Sequence, residues 1–383
     1  MNNAFIIDAV RTPRSKRKGK FTTVHPADLL TYPLNALVAR NKFDPAMVED
    51  VAIGCVTQCG EQGWCVARTS VLAAGWPITV PATTINRICG SGQQATNFIA
   101  SSIQGGTYEL AVSGGLEHMT RAPMFSDIGG EESTLLKNHH PDLVQQGMAA
   151  EIMAAEFKLT RTQLDEFAFQ SQMRAAAALK EGRFNRSVIP VPYRDETGAT
   201  QTCTADDNVR ANTTMEGLAG LKTVFKPEGG VITAGNASAI VDGAAAILLA
   251  NESKARALNL KPRGRIVSTS VVGSPPRIML TGPIAASEMA LKRAGLKVGD
   301  IHVWEINEAF APVPLVTMQK LGIDPARVNP NGGGIALGHP LGATGAMLIG
   351  MALDELERSA QKYALITMCI GLGMGVATVI ERV

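Results

Sequence analysis

The stretch "TTINRICGSGQQATN", residues 83–97, admits two folds. In one, "GSGQQA" at 90–95 is a loose G-x-G-x-x-A turn and the chain is a Rossmann-type nucleotide oxidoreductase. In the other, Gly90-Ser91-Gly92 opens a helix with Cys89 at its N-terminus. There, unpaired N–H groups and the helix dipole favour an anion and lower a thiol's pKa. The context counts against the first. "TTINRIC" is mixed polar and does not read as a clean buried strand. Glu109, the acid about 20 residues on, begins "ELAVSGG" instead of ending a strand. "GLGMGVA" runs into a strand, the wrong side for a phosphate loop, and no G-x-x-x-x-G-K-[ST] occurs. Taken alone, Cys89 is either a nucleophile whose flanking glycines bring backbone amides to a substrate carbonyl, or a buried structural thiol.

Outward from Cys89, short β-branched runs alternate with helical patterns, which predicts an α/β fold with buried sheets. The two ends of the chain repeat one order. The first runs from "AFIIDAV" through a helix, "DPAMVEDVAIGCV", the turn at Cys89 and a helix to "YELAVSGG". The second runs from "GRIVSTSVV" through a helix, "KVGDIHVWEINEAF", a Gly-rich turn at His339 and a helix to "YALITMCIGLG". Two similar halves meeting face to face would put Cys89 and His339 at equivalent helix starts, where ligand sites are expected. Between them, residues 117–240 are more polar and irregular and read as an insertion. It holds a helix over about 164–181, capped by Thr160 or Thr162 and closed by Gly182.

The bulk numbers fit a globular enzyme: 383 residues, 45% hydrophobic, 18% charged, net charge +2. That charge gives no global field toward nucleic acid or membrane. The basic run "RTPRSKRKGK", 11–20, reads as a solvated surface loop, the alternative being attraction of an anionic substrate. No segment approaches the ~18 apolar residues of a membrane helix. "MNNAFIIDAVRTP" looks like a strand and not a signal peptide, and "IERV" is no peroxisomal address, so a cytoplasmic protein is expected. Its six cysteines then read as reduced thiols. The C-x3-C-x5-C of Cys55, Cys59 and Cys65 is a poor zinc pattern, and no metal is expected.

Three further segments carry chemistry. His339 lies in "NPNGGGIALGHPLGATGA" (329–346), the most Gly-rich part of the chain; a position opposite Cys89 would make a Cys–His pair. Cys369, in "MCIGLGMG" (368–375), follows the strand "YALIT" and precedes a Gly-rich turn; two cysteines on Gly turns, one in each half, suggest two roles and not a disulfide. In "WEINEAFA" (304–311), Asn307 ends a strand where its amide can hold a water or a carbonyl oxygen, and Glu308 reads as a structural partner.

"NRICGSG", "GGGIALGHPLGATGA", "NEAFA" and "CIGLGMG", in this order, resemble the thiolase family, the acetyl-CoA acyltransferases, and the resemblance spans essentially the whole chain. It implies two βαβαβαββ halves in a five-layered αβαβα core with an inserted loop domain. The halves would be residues 1–116 with 241–262, and 263–383, around an insertion at 117–240. By family role Cys89 takes the acyl group as a thioester, His339 activates it, and Cys369 is the acid/base at the acetyl-CoA α-carbon. Asn307 holds a water that forms one oxyanion hole with His339, and the amides of Cys89 and Gly371 form another. Coenzyme A is then a substrate, with no permanently bound cofactor. Arg210 is expected near its nucleotide end, Phe225 and Ser238 along the pantetheine, and Met148, Ala309 and Phe310 near the acyl tunnel. The biosynthetic branch has a His-Met pair where this chain has Gln145 and Gln146, and a longer stretch than Glu117 to Gly147. Both differences favour a degradative 3-ketoacyl-CoA thiolase over an acetoacetyl-CoA one. Leu280, Pro312 and Val313 also depart from the family and are expected to alter tunnel shape. A homodimer is implied, with a tetramer or a place in a β-oxidation complex as alternatives.

Overall fold

The computed structural model describes residues 2–130 and 133–383; Met1 and the insertion's Glu131 and Glu132 lie outside the described residues. Each apolar run named above forms a strand. The first half comprises β1 (Ala4–Arg11), the short β2 (Ser15–Lys16), α1 (Pro26–Asn41), β3 (Val51–Gly54), α2 (Val66–Ala73), β4 (Ala82–Ile85), α3 (Ser91–Gly105) and β5 (Leu110–His118). The insertion carries α4 (Thr134–His139), α5 (Gln146–Glu156), α6 (Arg161–Lys180), the hairpin β6 (Val191–Arg194) and β7 (Thr200–Cys203), and α7 (Met215–Ala219). The chain then returns to the first half as β8 (Val241–Ala250) and α8 (Glu252–Ala257). The second half is β9 (Gly264–Gly273), α9 (Gly282–Ala294), β10 (Val303–Ile306), α10 (Pro312–Leu321), α11 (Gly334–Leu337), α12 (Leu341–Arg358), β11 (Tyr363–Ile370) and β12 (Met374–Arg382).

The repeat holds in topology over four strands of each half. The first half runs β1-β8-β5-β3-β4, antiparallel at β1/β8 and β8/β5 and parallel at β5/β3 and β3/β4. The second runs β9-β12-β11-β10 with the same signs: antiparallel, antiparallel, parallel. The counterpart of β4 is reduced to a single parallel bridge between Trp304 and Val328. The halves join where Ala4–Ile6 of β1 pair with Gly264–Ile266 of β9. Strands at the centre, such as the wholly buried "VDGAAAILLA" of β8, are apolar on both faces because helices cover both. α1 and α2 cover the outside of the first sheet and α9 and α10 the outside of the second. α3 and α12 pack against each other between the sheets.

Glycine sets that central contact. A methyl group on Gly92 of α3 would drive into the carbonyl oxygen of Gly342 on α12, and one on Gly345 into the backbone nitrogen of Gln93. These glycines bring the two helix starts together; their bare α-carbons face the other half and not a substrate. The sequence suggests that second role for the glycines beside Cys89; the folded chain uses them for the first. Gly90 fits the same correction, since a Cβ there would lie 2.6 Å from Ile370 Cδ1.

Three more expectations change. "TTINRIC" does contain a strand: β4 is an edge strand with half-exposed side chains, which is why its sequence is mixed polar. The junction expected after residue 116 falls inside β5, which continues to His118. The basic run is not wholly solvated. Arg11 and Arg14 are buried, and Asp206 of the insertion accepts both terminal nitrogens of Arg11 (2.7 Å each) and the Arg14 amide (2.7 Å). Burial and neighbouring Arg11 depress the Arg14 guanidinium to about 10. Only Lys16, Arg17 and Lys18 of the run are exposed. The helix expected over 164–181 is α6; Thr160 is its cap, in a capping box with Gln163, and Gly182 follows at φ +68°.

Candidate active site

Cys89 stands two residues before α3 and His339 two residues before α12, so the repeat places them at equivalent helix starts. The turn into Cys89 is tightly pinned. Ile88 donates its amide to Asn86 Oδ1 (2.8 Å), and Ser91 Oγ accepts the Arg87 amide (2.8 Å) while donating to the Ile88 carbonyl (2.6 Å). These bonds hold Ile88 at φ +45°, a conformation costly for a β-branched residue. Cys89 is 2% exposed. Burial holds its thiol above the ordinary range, only partly offset by hydrogen bonds from the Gln146 side chain, the Gly371 amide and its own amide.

His339 has an assignable tautomer. The Thr344 hydroxyl donates to the carbonyl of Pro340, the residue before α12 (3.0 Å). With its proton there, and with Asn307 Nδ2 against Nε2, we assign the ring proton to His339 Nδ1, which donates to Thr344 Oγ at 2.6 Å. Nε2 is left as the basic nitrogen, and Asn307 Nδ2 donates to it at 3.3 Å. Burial, then the charge of Arg14, lower the imidazole pKa to about 3, so the ring is neutral at physiological pH.

Cys369 is fully buried near the end of β11, and Gly371 follows in the turn to β12. Burial and the nearby Cys89 sulfur push the Cys369 thiol far up, so it keeps its proton at neutral pH. Asn307 follows β10, and its Oδ1 is buried with no protein partner among the described residues. Glu308 is structural, as its setting suggested. It accepts from Ser171 Oγ (2.6 Å), Asn329 Nδ2 (2.8 Å) and the Ile335 amide (3.1 Å), tying α6 to α11.

A cavity of about 200 Å³ is lined by Cys89, His339, Phe225, Ser238, Ala309 and Phe310 together. Met119, Met124, Phe125 and Leu341 make much of the rest apolar. Arg210 is exposed and Met148 half-buried, and neither lines this cavity. Leu280, Pro312 and Val313 are buried in the outer core of the second half and do not reach the cavity wall. A larger cleft of about 310 Å³ beside Arg40, Arg186 and Arg263 holds none of the expected residues.

Three residues that shape the site escaped the sequence reading. Thr344 fixes the His339 tautomer. Gln146 reaches the Cys89 sulfur at 3.8 Å. Glu117, buried at the end of β5, accepts the amides of Val56 (3.0 Å), Thr57 (3.1 Å) and Gly342 (2.9 Å), and so binds the N-terminus of α12 to the first half. A carboxylate ending the buried run "LAVSGGLE" was the one available signal.

The described residues hold no group of three or more metal-binding side chains, and all six cysteines are free. No helix among them is long and apolar enough to cross a membrane.

Residues 4–253 match the family described as "Thiolase, N-terminal domain", and residues 260–382 match "Thiolase, C-terminal domain". The chain is 43% identical over 404 residues to the beta-ketoadipyl-CoA thiolase of Acinetobacter baylyi, and 43% over 388 residues to a 3-ketoacyl-CoA thiolase of Escherichia coli; each alignment covers 100% of both chains. Among solved structures, the human mitochondrial 3-ketoacyl-CoA thiolase superposes with a TM-score of 0.91 at 37% identity. The Bacillus anthracis acetyl-CoA acetyltransferase superposes at 0.92 and 35%. Both alignments cover 100% of this chain and 99% of the other.

Proposed function

The chain belongs to the thiolase family, acyltransferases acting on coenzyme A thioesters, and on that footing we propose that it cleaves 3-ketoacyl-CoA to acetyl-CoA and a shortened acyl-CoA. The observation that carries this is a single cavity lined by both Cys89 and a neutral His339, whose unprotonated Nε2 can take a proton.

His339 Nε2 accepts the Cys89 proton and the sulfur attacks the 3-keto carbon. The amides of Cys89 and Gly371, or Asn307 with His339, face the oxygen that becomes anionic. The bond between the second and third carbons breaks, leaving the acyl group on Cys89 and the enolate of acetyl-CoA. Cys369, whose burial keeps it protonated, gives the enolate carbon its proton. Incoming CoA passes its thiol proton to the Cys369 thiolate and attacks the acyl-cysteine. The Cys89 sulfur leaves and recovers its proton from His339. Reversal of the same steps is condensation, and Gln145-Gln146 with the short stretch from Glu117 to Gly147 favours cleavage as the physiological direction over acetoacetyl-CoA synthesis.

In this reading residues 1–118 with 241–262 and residues 263–383 supply the reacting groups. The insertion that follows β5, up to residue 240, supplies most of the CoA and acyl contacts, through Arg210, Phe225, Ser238 and Met148, with Ala309 and Phe310 added from the second half. The protein works as a cytoplasmic homodimer; the half-exposed edge strand β4 and the fully exposed Trp64 support an interface there. The test is CoA-dependent cleavage of acetoacetyl-CoA and of a longer 3-ketoacyl-CoA. Cys89→Ala is expected to abolish both, and Cys89→Ala with full turnover would overturn the mechanism.

A further inference from the structure

Gln146 opens α5, and its Nε2 lies 3.8 Å from Cys89 Sγ. The first turn of α5 is clamped in place. A methyl group on Gly147 would enter the Phe225 ring, and Phe225 packs edge-on against Phe310 with centroids 5.9 Å apart. Gln146 also covers Gly371, where a Cβ would lie 3.1 Å from its Nε2. The carboxamide therefore sits beside the backbone amides already directed at the sulfur.

Until His339 takes up the proton, the charged and titratable groups around Cys89 give a thiolate no support. His339 from the turn before α12 is neutral, Cys369 on β11 is a second thiol, and Glu117 on β5 opposes a negative charge. Stabilisation of the anion falls to neutral N–H donors. We propose that the Gln146 carboxamide is a catalytic hydrogen-bond donor to the Cys89 sulfur. It supports the thiolate before the acyl group arrives, and again when the sulfur leaves as CoA attacks. The inference rests on Cys89 being the nucleophile.

The experiment measures carboxamidomethylation of Cys89 by iodoacetamide from neutral to alkaline pH, quantified on the Cys89 peptide by mass spectrometry. Gln146→Met keeps the length and removes the donor. Its inflection is expected to move up by about one pH unit, a roughly ten-fold loss of thiolate at neutral pH. Gln146→Asn keeps the amide but withdraws it by one methylene, and is expected to shift the same way. Inflections unchanged from wild type in both variants overturn the proposal. A parallel arm traps the acyl adduct from acetoacetyl-CoA on the wild-type enzyme. Its absence from Cys89 would remove the nucleophile reading itself, whereas an adduct with unshifted inflections removes only the role of Gln146.

Discussion

Replacing Thr344 with Val tests whether the His339 tautomer is set as described. Valine nearly matches threonine in shape, so packing at the start of α12 is retained. What is lost is the acceptor for His339 Nδ1–H, which the hydroxyl meets at 2.6 Å in a buried site. An unsatisfied buried N–H costs about 1–3 kcal/mol. The ring avoids that cost by moving its proton to Nε2, which then cannot take the proton of Cys89. With each 1.36 kcal/mol worth about tenfold in rate, kcat is expected to fall about 5- to 150-fold. KM for CoA should change little, because Thr344 does not line the cavity. The assay is steady-state thiolysis of acetoacetyl-CoA with CoA varied, alongside Thr344→Ser, which keeps the hydroxyl and should retain most activity. If Thr344→Val turned over within about two-fold of wild type, the tautomer would not depend on this bond, and the assignment of Nε2 as base would lose its support.

Two further outcomes follow from the geometry. Gly92→Ala puts a methyl group into the backbone oxygen of Gly342, which no rotamer can relieve; we expect a loss of more than about 2 kcal/mol in urea unfolding, with activity falling as the helix starts part. The neutral His339 also makes stability depend on pH. The unfolded chain takes up the proton below about 6.5, but the folded protein resists it down to about 3, so this group's contribution is complete above 6.5 and is lost as pH falls. Relative to His339→Asn, the wild type should lose about 2 kcal/mol between pH 7 and pH 5, and an equal pH response in both proteins would contradict a buried neutral imidazole.

The fold was legible because its strands are apolar on both faces and its helices carry plain end signals: Thr160 before α6, Gly182 after it, Gly295 after α9. The repeat was legible for the same reason, since buried strands in equivalent places need similar runs. β4 was missed as a strand because it lies at a sheet edge, where half its side chains meet solvent and the apolar signal thins out. Arg11 and Arg14 were misjudged because a buried arginine and a solvated one look alike until Asp206, far along the chain, is brought beside them. Cys89 and His339 stood out through their glycines, yet what those glycines do depended on Gly342 and Gly345, which only the folded chain places opposite them. Thr344, inside a helix, gave no signal, and Gln146 gave one of branch and not of its place beside Cys89; each matters at the site only through the atom it touches.

The two kinds of wall around the cavity divide the labour of change. Cys89 and His339 hang from the crossing of α3 and α12, where a methyl group on Gly92 or Gly345 meets backbone, and Cys369 and Asn307 sit at the ends of β11 and β10. Met124 and Phe125 come from the insertion and line the cavity outside that crossing and apart from the reacting groups. Selection for a new acyl chain therefore has somewhere to act that leaves the reaction intact. Descendants of such a scaffold are expected to diverge in what they accept long before they diverge in what they do.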